Sequence, residues 1–523
     1  MKGKAFMKHN YTIRIMALLL AMLMLVCMVA CSDNSDGGQT PADTTTAAAT
    51  PDNPSGNNGD TPSDTTTVAG GTTSNELTPD LPEVSYAGKT ITFLEREVEN
   101  GNNVNTFFTE IYSDISLAET ISNATYNRNL TVMDKYGIEI ASRVELNANI
   151  ANVFTSSADA GDKICDVLHA NGATTMSLAN KGYLRDMNTI DYINYDNPWW
   201  MGMVMDTSSI GGKNAFAIGD TNIHAFTAVS AVYFNKQLVI DLGLDSIYGL
   251  VNDGKWTIDK MYEYCQAAVA ELDGDNVMTK EDRYGMIFNN YAWAPFFYGS
   301  GLTIVEKDTN DMPVLNLQNE TIVNTLSKVM DFLADDNVQA CSAWIEMDGG
   351  MESGFQNGHS MFYCQLMYTT MFLRQGELEF GILPTPKYDE AQDDYYSYIH
   401  NKSSYTSVPK INQDLEMTGI ILEDMAYHSY KIVRPDFFDI LLDGKVARDE
   451  ESAEMLDIVY KNMYVCLLQP MSGVGLSTDG TMRAFITSKS GSSSMASTFK
   501  RSEAMWKKTL AQITDAFENK MAD

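Results

Sequence analysis

Positive charge is scarce in this chain: 36 Lys and Arg stand against 69 Asp and Glu, for a formal net charge of −33. Binding a phosphate backbone requires a Lys/Arg surface, so nucleic acid is excluded as a partner. Adhesion to anionic lipid by charge is excluded on the same ground, and any membrane contact must come from a separate device. Cysteine and histidine are also few. The seven cysteines form no CxxC pair, and the six histidines are scattered without an acid/His cluster, so a zinc site and a metal-capture role find no support. Cys165, Cys265, Cys341, Cys364 and Cys466 remain once the two N-terminal cysteines are set aside, an odd number that speaks against a disulfide framework. They are expected to be small buried apolar residues. No GxSxG elbow, HExxH pair or phosphate-binding Walker loop occurs.

What is present begins with the membrane device. Lys2, Lys4, Lys8 and Arg14 form a basic head, an uncharged apolar run follows from Ile15 to Met28, and small Ala30 precedes Cys31. A basic start, an apolar stretch and a small-residue cleavage site describe a secretory signal over residues 1–30. The competing reading, an uncleaved membrane helix, has an apolar run near the lower limit for crossing ~30 Å of hydrocarbon. Cleavage removes the four positive charges named and no negative one, which takes the net charge from −33 to −37. Residues 31–85 are mainly Thr, Ser, Gly, Asp, Asn, Pro and Ala, with no aromatic, Lys or Arg after Cys31. Such a segment cannot bury enough apolar surface to offset chain entropy and is expected to be a disordered tether. A flexible chain of ~50 residues has an r.m.s. span of roughly 40 Å.

From Tyr86 the pattern changes. Residues 89–95 alternate like a strand, Leu117 to Tyr136 reads as a helix stopped by Gly137, and Ile138-Glu139-Ile140 reads as the next strand. Asp166 to His169 is a short strand, and the helix after it is expected over Met176 to Lys181, closed by Gly182. Thr257 should cap a helix, Thr321 to Leu333 is another, and Asp449 can cap one that turns Met455, Val459 and Met463 inward. Strands alternating with helices imply mostly parallel sheets covered on both faces, and 523 residues imply two or more lobes.

Two kinds of motif bear on identity. Ala30-Cys31 resembles a bacterial lipobox, although Met28 stands where Leu is usual, and the resemblance implies that Cys31 carries lipid. Along the folded part, Asn123 to Asn129, Cys165 to Leu168, Gly182 to Met187, Asn197-Pro198-Trp199-Trp200, Ala217 to Asp220 and Tyr233 to Lys236 come in order. They are followed by Asp253 to Thr257, Phe355 to Met361, Gly381 to Pro386 and Arg448 to Ser452. Together, from about residue 86 to the C-terminus, they resemble the family-1-type extracellular solute-binding proteins of ABC importers. The resemblance implies an α/β, two-lobed periplasmic-binding-protein-like fold with hinge crossovers and a helical C-terminal part. Lobe 1 would start with residues 86–225, lobe 2 would take 226–400, and 401–523 would complete lobe 1. It further implies a small-molecule solute, a sugar, bound between the lobes by hinge closure, and ABC permease subunits as partners.

Open α/β sheets bind ligands beyond the carboxyl ends of their strands, and sugars are held by aromatic faces and planar polar groups. Those rules select Glu95 and Arg96 after the first strand, His169 and Asn171 after the strand ending at Leu168, and Asp220 before the first crossover. They also select Gln365 and Tyr368 after Met361, with Tyr291 and Trp293 from the densest aromatic cluster, residues 290–298. Each could equally be a packing or surface residue, and Trp199 and Trp200 are expected to be packing. Residues 271–282 resemble an EF-hand-type loop that would hold a structural Ca²⁺ through Glu271, Asp273, Asp275, the Val277 carbonyl, Thr279 and Asp282. The loop departs from the pattern at Glu271, Asn276 and Asp282. The alternative to a solute binder is a secreted, lipid-anchored, glycoside-active enzyme. That chemistry needs two carboxylates at a fixed separation, which 69 acids supply by chance, so their presence decides nothing.

Overall fold

The computed structural model describes residues 77–97, 109–113, 120–442, 450–467, 469–476 and 478–521. The signal, Cys31, most of the tether, Leu117 and Asp449 lie outside them. No helix among the described residues is long and apolar enough to cross a membrane. The tether expected to reach Ser85 ends earlier. Residues 77–86 are irregular, yet Leu81, Val84 and Tyr86 pack on an apolar cluster, and the Tyr86 amide donates to the Tyr136 carbonyl at 2.7 Å.

The chain first builds β1 (Thr90–Arg96), β2 (Glu139–Glu145) and β3 (Val167–Asn171), with β1 central and parallel to both neighbours. Alternation decides the faces of β1. Ile91 and Phe93 pack with the helices Thr120–Tyr136 and Leu415–His428, while Leu94 packs with the helices Ile150–Asp159 and Gly172–Lys181. The helix expected from Met176 starts four residues earlier, because Asn171 caps it by accepting from the Thr174 amide at 2.8 Å. Gly182 ends it as anticipated, at φ 86°, a conformation that only glycine adopts without strain.

A second sheet follows: β4 (Ser230–Asn235), β5 (Tyr284–Phe288), then a small hairpin of β6 (Val305–Lys307) and β7 (Pro313–Leu315), then β8 (Gln339–Cys341), β9 (Ser360–Leu366) and β10 (Phe380–Leu383). Its order is β10-β4-β9-β5-β8. β5, β8 and β9 run parallel, and β4 is antiparallel to both its neighbours. β11 (Ser397–Tyr398) leads out of this lobe, and β12 (Ser404–Ser407) joins the first sheet antiparallel to β3. β13 (Met463–Tyr464) later pairs with β11.

The two lobes are therefore stitched by three crossing segments that bond to one another. Val229 bridges Ile399, the His400 amide donates to the Ala228 carbonyl at 3.0 Å, and the Ile399 amide donates to the Tyr464 carbonyl at 3.0 Å. The C-terminal part does not simply complete lobe 1. The helix Leu415–His428 packs on lobe 1, but Glu450–Lys461 packs on β10 of lobe 2 and Asp479–Thr487 on lobe 2 helices, while Met495–Lys520 packs on the lobe 1 helix Gly172–Lys181. In that region Met463, expected in a helix, lies in β13, and Met455 and Val459 are buried as expected.

All five described cysteines are buried and free. Trp199 and Trp200 are buried, and both indole N–H groups donate to one carboxylate, Glu423, at 3.0 and 2.6 Å.

Candidate functional site

The carboxyl ends of β5 and β9 in lobe 2 and of β3 in lobe 1 converge on the three crossing segments. Two adjoining cavities of about 100 and 180 Å³ lie there, and Tyr291, His400 and Lys402 line both. β5 delivers Tyr291. Asn289 turns the chain by accepting from the Tyr291 amide at 2.9 Å, which leaves the tyrosine 39% exposed. Arg483 fixes its ring, stacking with its guanidinium 4.0 Å from the centroid and donating to the hydroxyl at 2.9 Å. β9 delivers Gln365 and Tyr368, and the turn after Tyr398 delivers His400 and Lys402. Asn401, Gln469, Ser472 and Asp479 line the 180 Å³ cavity, which extends toward the short helix Pro470–Val474, packed on lobe 1.

His400 is held neutral, its pKa pushed down to about 3 by burial and by the Lys402 charge. Its Nδ1 accepts from the Lys402 amide at 3.1 Å, so the proton of the neutral ring resides on Nε2. The rings of Tyr291 and Tyr398 lie 5.9 and 6.2 Å from the imidazole, each steeply inclined to it.

Of the residues chosen from sequence, Tyr291, Gln365 and Tyr368 are brought together here. Trp293 is not. It is fully buried in lobe 2 against Phe297 and Tyr298, and its Nε1 donates to Asp479 at 2.9 Å. The helix Trp293–Tyr298 turns that ring inward one step after Tyr291 points outward. Asn171 is occupied by its helix cap and by donation to Asn147 at 2.7 Å.

Glu95, Arg96 and His169 belong to a buried polar cluster at the same end of lobe 1, and line neither cavity. Glu95 accepts from the amides of Ile111 and Tyr112 at 3.2 and 2.8 Å and from the Ser142 hydroxyl, and burial raises its pKa. Arg96 Nη2 lies 3.4 Å from His224 Nδ1, and His169 Nε2 lies 3.0 Å from the Thr406 hydroxyl. The centre of the cluster is Glu110, which sequence reasoning missed. It accepts from the His224 amide at 3.0 Å and from the Ser404 hydroxyl, and lies 3.3 Å from the imidazoles of His169 and His224. Burial alone would raise its pKa, but the two imidazoles and Ser404 overcome that and hold it at about 2. Asp220 sits apart. It is buried with Arg434 at 3.4 Å, and burial pushes its pKa up to about 7 despite that partner.

The loop at 271–282 fits a cation only in part. Glu271, Asp273 and Asp275 each place a carboxylate oxygen within 4.8 Å of the others, and Asn276 adopts φ 63° as its position in the turn requires. Asp282 is not among them, because its oxygens accept from the Leu272 and Thr279 amides, both at 2.7 Å. Glu271 also caps the amides of Gly274 and Asp275 at 2.7 and 2.8 Å, so the loop closes through its own backbone.

His400, Lys402, Asp479 and Arg483 were also missed in the sequence. The signal for His400 was its place at the end of a crossing segment; for Asp479 and Arg483, a helix that follows the third crossing, there was none.

No protein-family model and no curated protein matches the chain. Solved structures do. A cyclo/maltodextrin-binding protein complexed with maltotetraose is similar with a TM-score of 0.53 at 12% identity, over 83% of this chain and 97% of that one. A sugar transporter from Rhizobium etli in an open conformation is similar with a TM-score of 0.54 at 12% identity, over 82% of this chain and 99% of that one. The fold is that of the two-lobed solute-binding proteins. Within this solute-binding-protein fold, both cavities lie at strand carboxyl ends, where open α/β sheets receive ligands.

Proposed function

We propose that this chain is an extracytoplasmic solute-binding lipoprotein of an ABC importer that captures a small carbohydrate between its lobes. One observation carries the reading: the cleft at the crossing segments combines an exposed, Arg-stacked tyrosine, a second ring in Tyr368, planar amides in Gln365, Asn401 and Gln469, and the fixed Nε2–H donor of His400. Rings bind the C–H faces of a sugar, and planar polar groups bind its hydroxyls. Among the described residues the cleft holds one acid, Asp479, which is engaged by Trp293 and Arg483 rather than paired with a second carboxylate, and this favours binding over glycoside cleavage. The anchor is the basic, apolar and Ala30-Cys31 sequence, with lipid on Cys31 and the Thr/Ser/Gly tether holding the lobes off the membrane.

A thermal-shift screen of mono- and oligosaccharides tests the capture role. The reading expects at least one sugar to raise the melting temperature without being turned over. A sugar that is hydrolysed would favour the enzyme instead. Metabolic labelling with palmitate tests the anchor: label should enter the wild-type chain and be lost in Cys31→Ala.

A further inference from the structure

A groove of about 520 Å³ lies outside the cleft and shares no lining residue with it. One wall is the segment from Ser429 to Leu442, a π-helical turn (Ser429–Val433) running into a helix, which presents Tyr430, Lys431, Arg434, Pro435 and Phe438. The other wall is one face of the helix Glu450–Lys461, with Asp457, Tyr460 and Lys461.

Among the described residues, three cations and one acid line this groove, in a chain whose net charge is −33, and Lys461 also lies 3.9 Å from Asp394 at its edge. Arg434 is built in rather than loosely displayed. Its guanidinium sits 5.5, 5.3 and 5.6 Å from the ring centroids of Phe226, Tyr430 and Phe438, and reaches Asp220 at 3.4 Å. Burial raises the Asp220 pKa even beside Arg434, which makes this carboxyl a weaker counter-ion than an exposed carboxylate. Tyr430, Arg434 and Phe438 recur every four residues and share one side of this segment, which opens with a single π turn of a kind that recurs at functional sites.

We propose that this groove is a second binding site, for a small organic anion that joins a carboxylate or phosphate to a C–H-rich face. Arg434 takes the anion through its planar fork, Lys431 and Lys461 add charge, and Tyr430, Phe438 and Tyr460 cover the rest of the molecule. The walls meet at the junction of the lobes, and each reaches across it: Ile440 accepts from Arg374 of lobe 2 at 3.2 Å, and Tyr460 donates to the Phe226 carbonyl on the lobe 1 side at 3.2 Å. Ser429 accepts from Arg128 of lobe 1 at 3.0 Å, whereas Ser452 lies 3.0 Å from the Tyr248 hydroxyl of lobe 2. An occupant therefore contacts both lobes and biases the angle between them, as any ligand does that binds one arrangement better than another. The inference stands independently of what fills the cleft.

The test is calorimetric titration of the full mature chain with glucuronate, glucose 6-phosphate, inorganic phosphate and glucose. Glucuronate or glucose 6-phosphate should bind, weakening as salt is raised, and which of the two binds more tightly identifies the anionic group. Glucose should leave this site unoccupied. Lys461→Ala, an exposed change that leaves the Asp220–Arg434 pair intact, and Arg434→Gln should each weaken binding at least about tenfold, as loss of a charge-assisted contact requires. Tyr291→Ala in the cleft should leave it unchanged. Absence of anion binding by the wild type, equal affinity in Lys461→Ala, or loss of anion binding in Tyr291→Ala overturns the proposal.

Discussion

Replacing Glu423 by Gln is the sharpest test of how lobe 1 is held together. The carboxylate is buried in the helix Leu415–His428 and accepts four hydrogen bonds. Oε1 takes Trp199 Nε1 at 3.0 Å and Asn197 Nδ2 at 2.7 Å, and Oε2 takes Trp200 Nε1 at 2.6 Å and the Asn194 amide at 3.2 Å. Gln keeps the shape but supplies one acceptor oxygen, so two N–H donors must face an NH₂ group whichever way the amide turns. Each lost charge-assisted bond is worth about 1.5–3 kcal/mol, and removing a buried charge returns some of it. Burial does raise the Glu423 pKa, so part of that cost is present in the wild type. The expected net loss is about 3 kcal/mol. Urea unfolding followed by tryptophan fluorescence reads it, with Trp199 and Trp200 two of the six reporters. A change below about 0.5 kcal/mol, the size of an ordinary surface substitution, would refute the argument.

Three further outcomes follow from the same geometry. Trp293→Ala should cost about 3–5 kcal/mol of stability because it empties a fully buried site, whereas Tyr291→Ala should leave stability nearly unchanged and weaken sugar binding; paired melting and titration curves separate the two effects. Gly473→Ala should destabilise by about 1–3 kcal/mol and displace the wall carrying Ser472, since a Cβ there would lie 1.9 Å from the Ala173 carbonyl oxygen. Below neutrality the pH dependence has a definite sign. Glu110 is stabilising above its unfolded pKa and loses that contribution as pH falls from about 4.5 to about 2. His400, kept neutral, loses its contribution as pH falls from about 6.5 toward 3, and Asp220, with its raised pKa, loses its own as pH rises from about 4 to about 7. Melting temperatures from pH 3.5 to 6.5 should therefore rise less steeply in His400→Asn than in the wild type; identical slopes would remove His400 from the account.

The layered α/β architecture was legible because it rests on local signals: the alternation in residues 89–95, the Gly182 stop and the Thr257 cap all act within a few residues of chain. The allegiance of the C-terminal helices was not. The helices at 450–461 and 479–487 have amphipathic patterns that specify a buried face but not which lobe receives it. The same limit governed the site. Tyr291 and Trp293 are two residues apart in one aromatic run, and only the direction in which the helix Trp293–Tyr298 leaves β5 decides that one faces the cleft and the other the core. Glu110 and Glu423 are single acids among 69, and their importance comes from partners more than a hundred residues away in sequence: His224 and Ser404 for the first, Trp199 and Trp200 for the second.

Small-angle X-ray scattering on residues 77–523, with and without the sugar that most raises the melting temperature, tests the central claim most directly. Two lobes stitched by the segments at 228–230, 397–400 and 462–464 should draw together on the ligand, and the radius of gyration should fall, with the fall abolished in Tyr291→Ala. Scattering curves that coincide with and without saturating sugar, or a sugar-induced contraction that survives in Tyr291→Ala, would contradict the account.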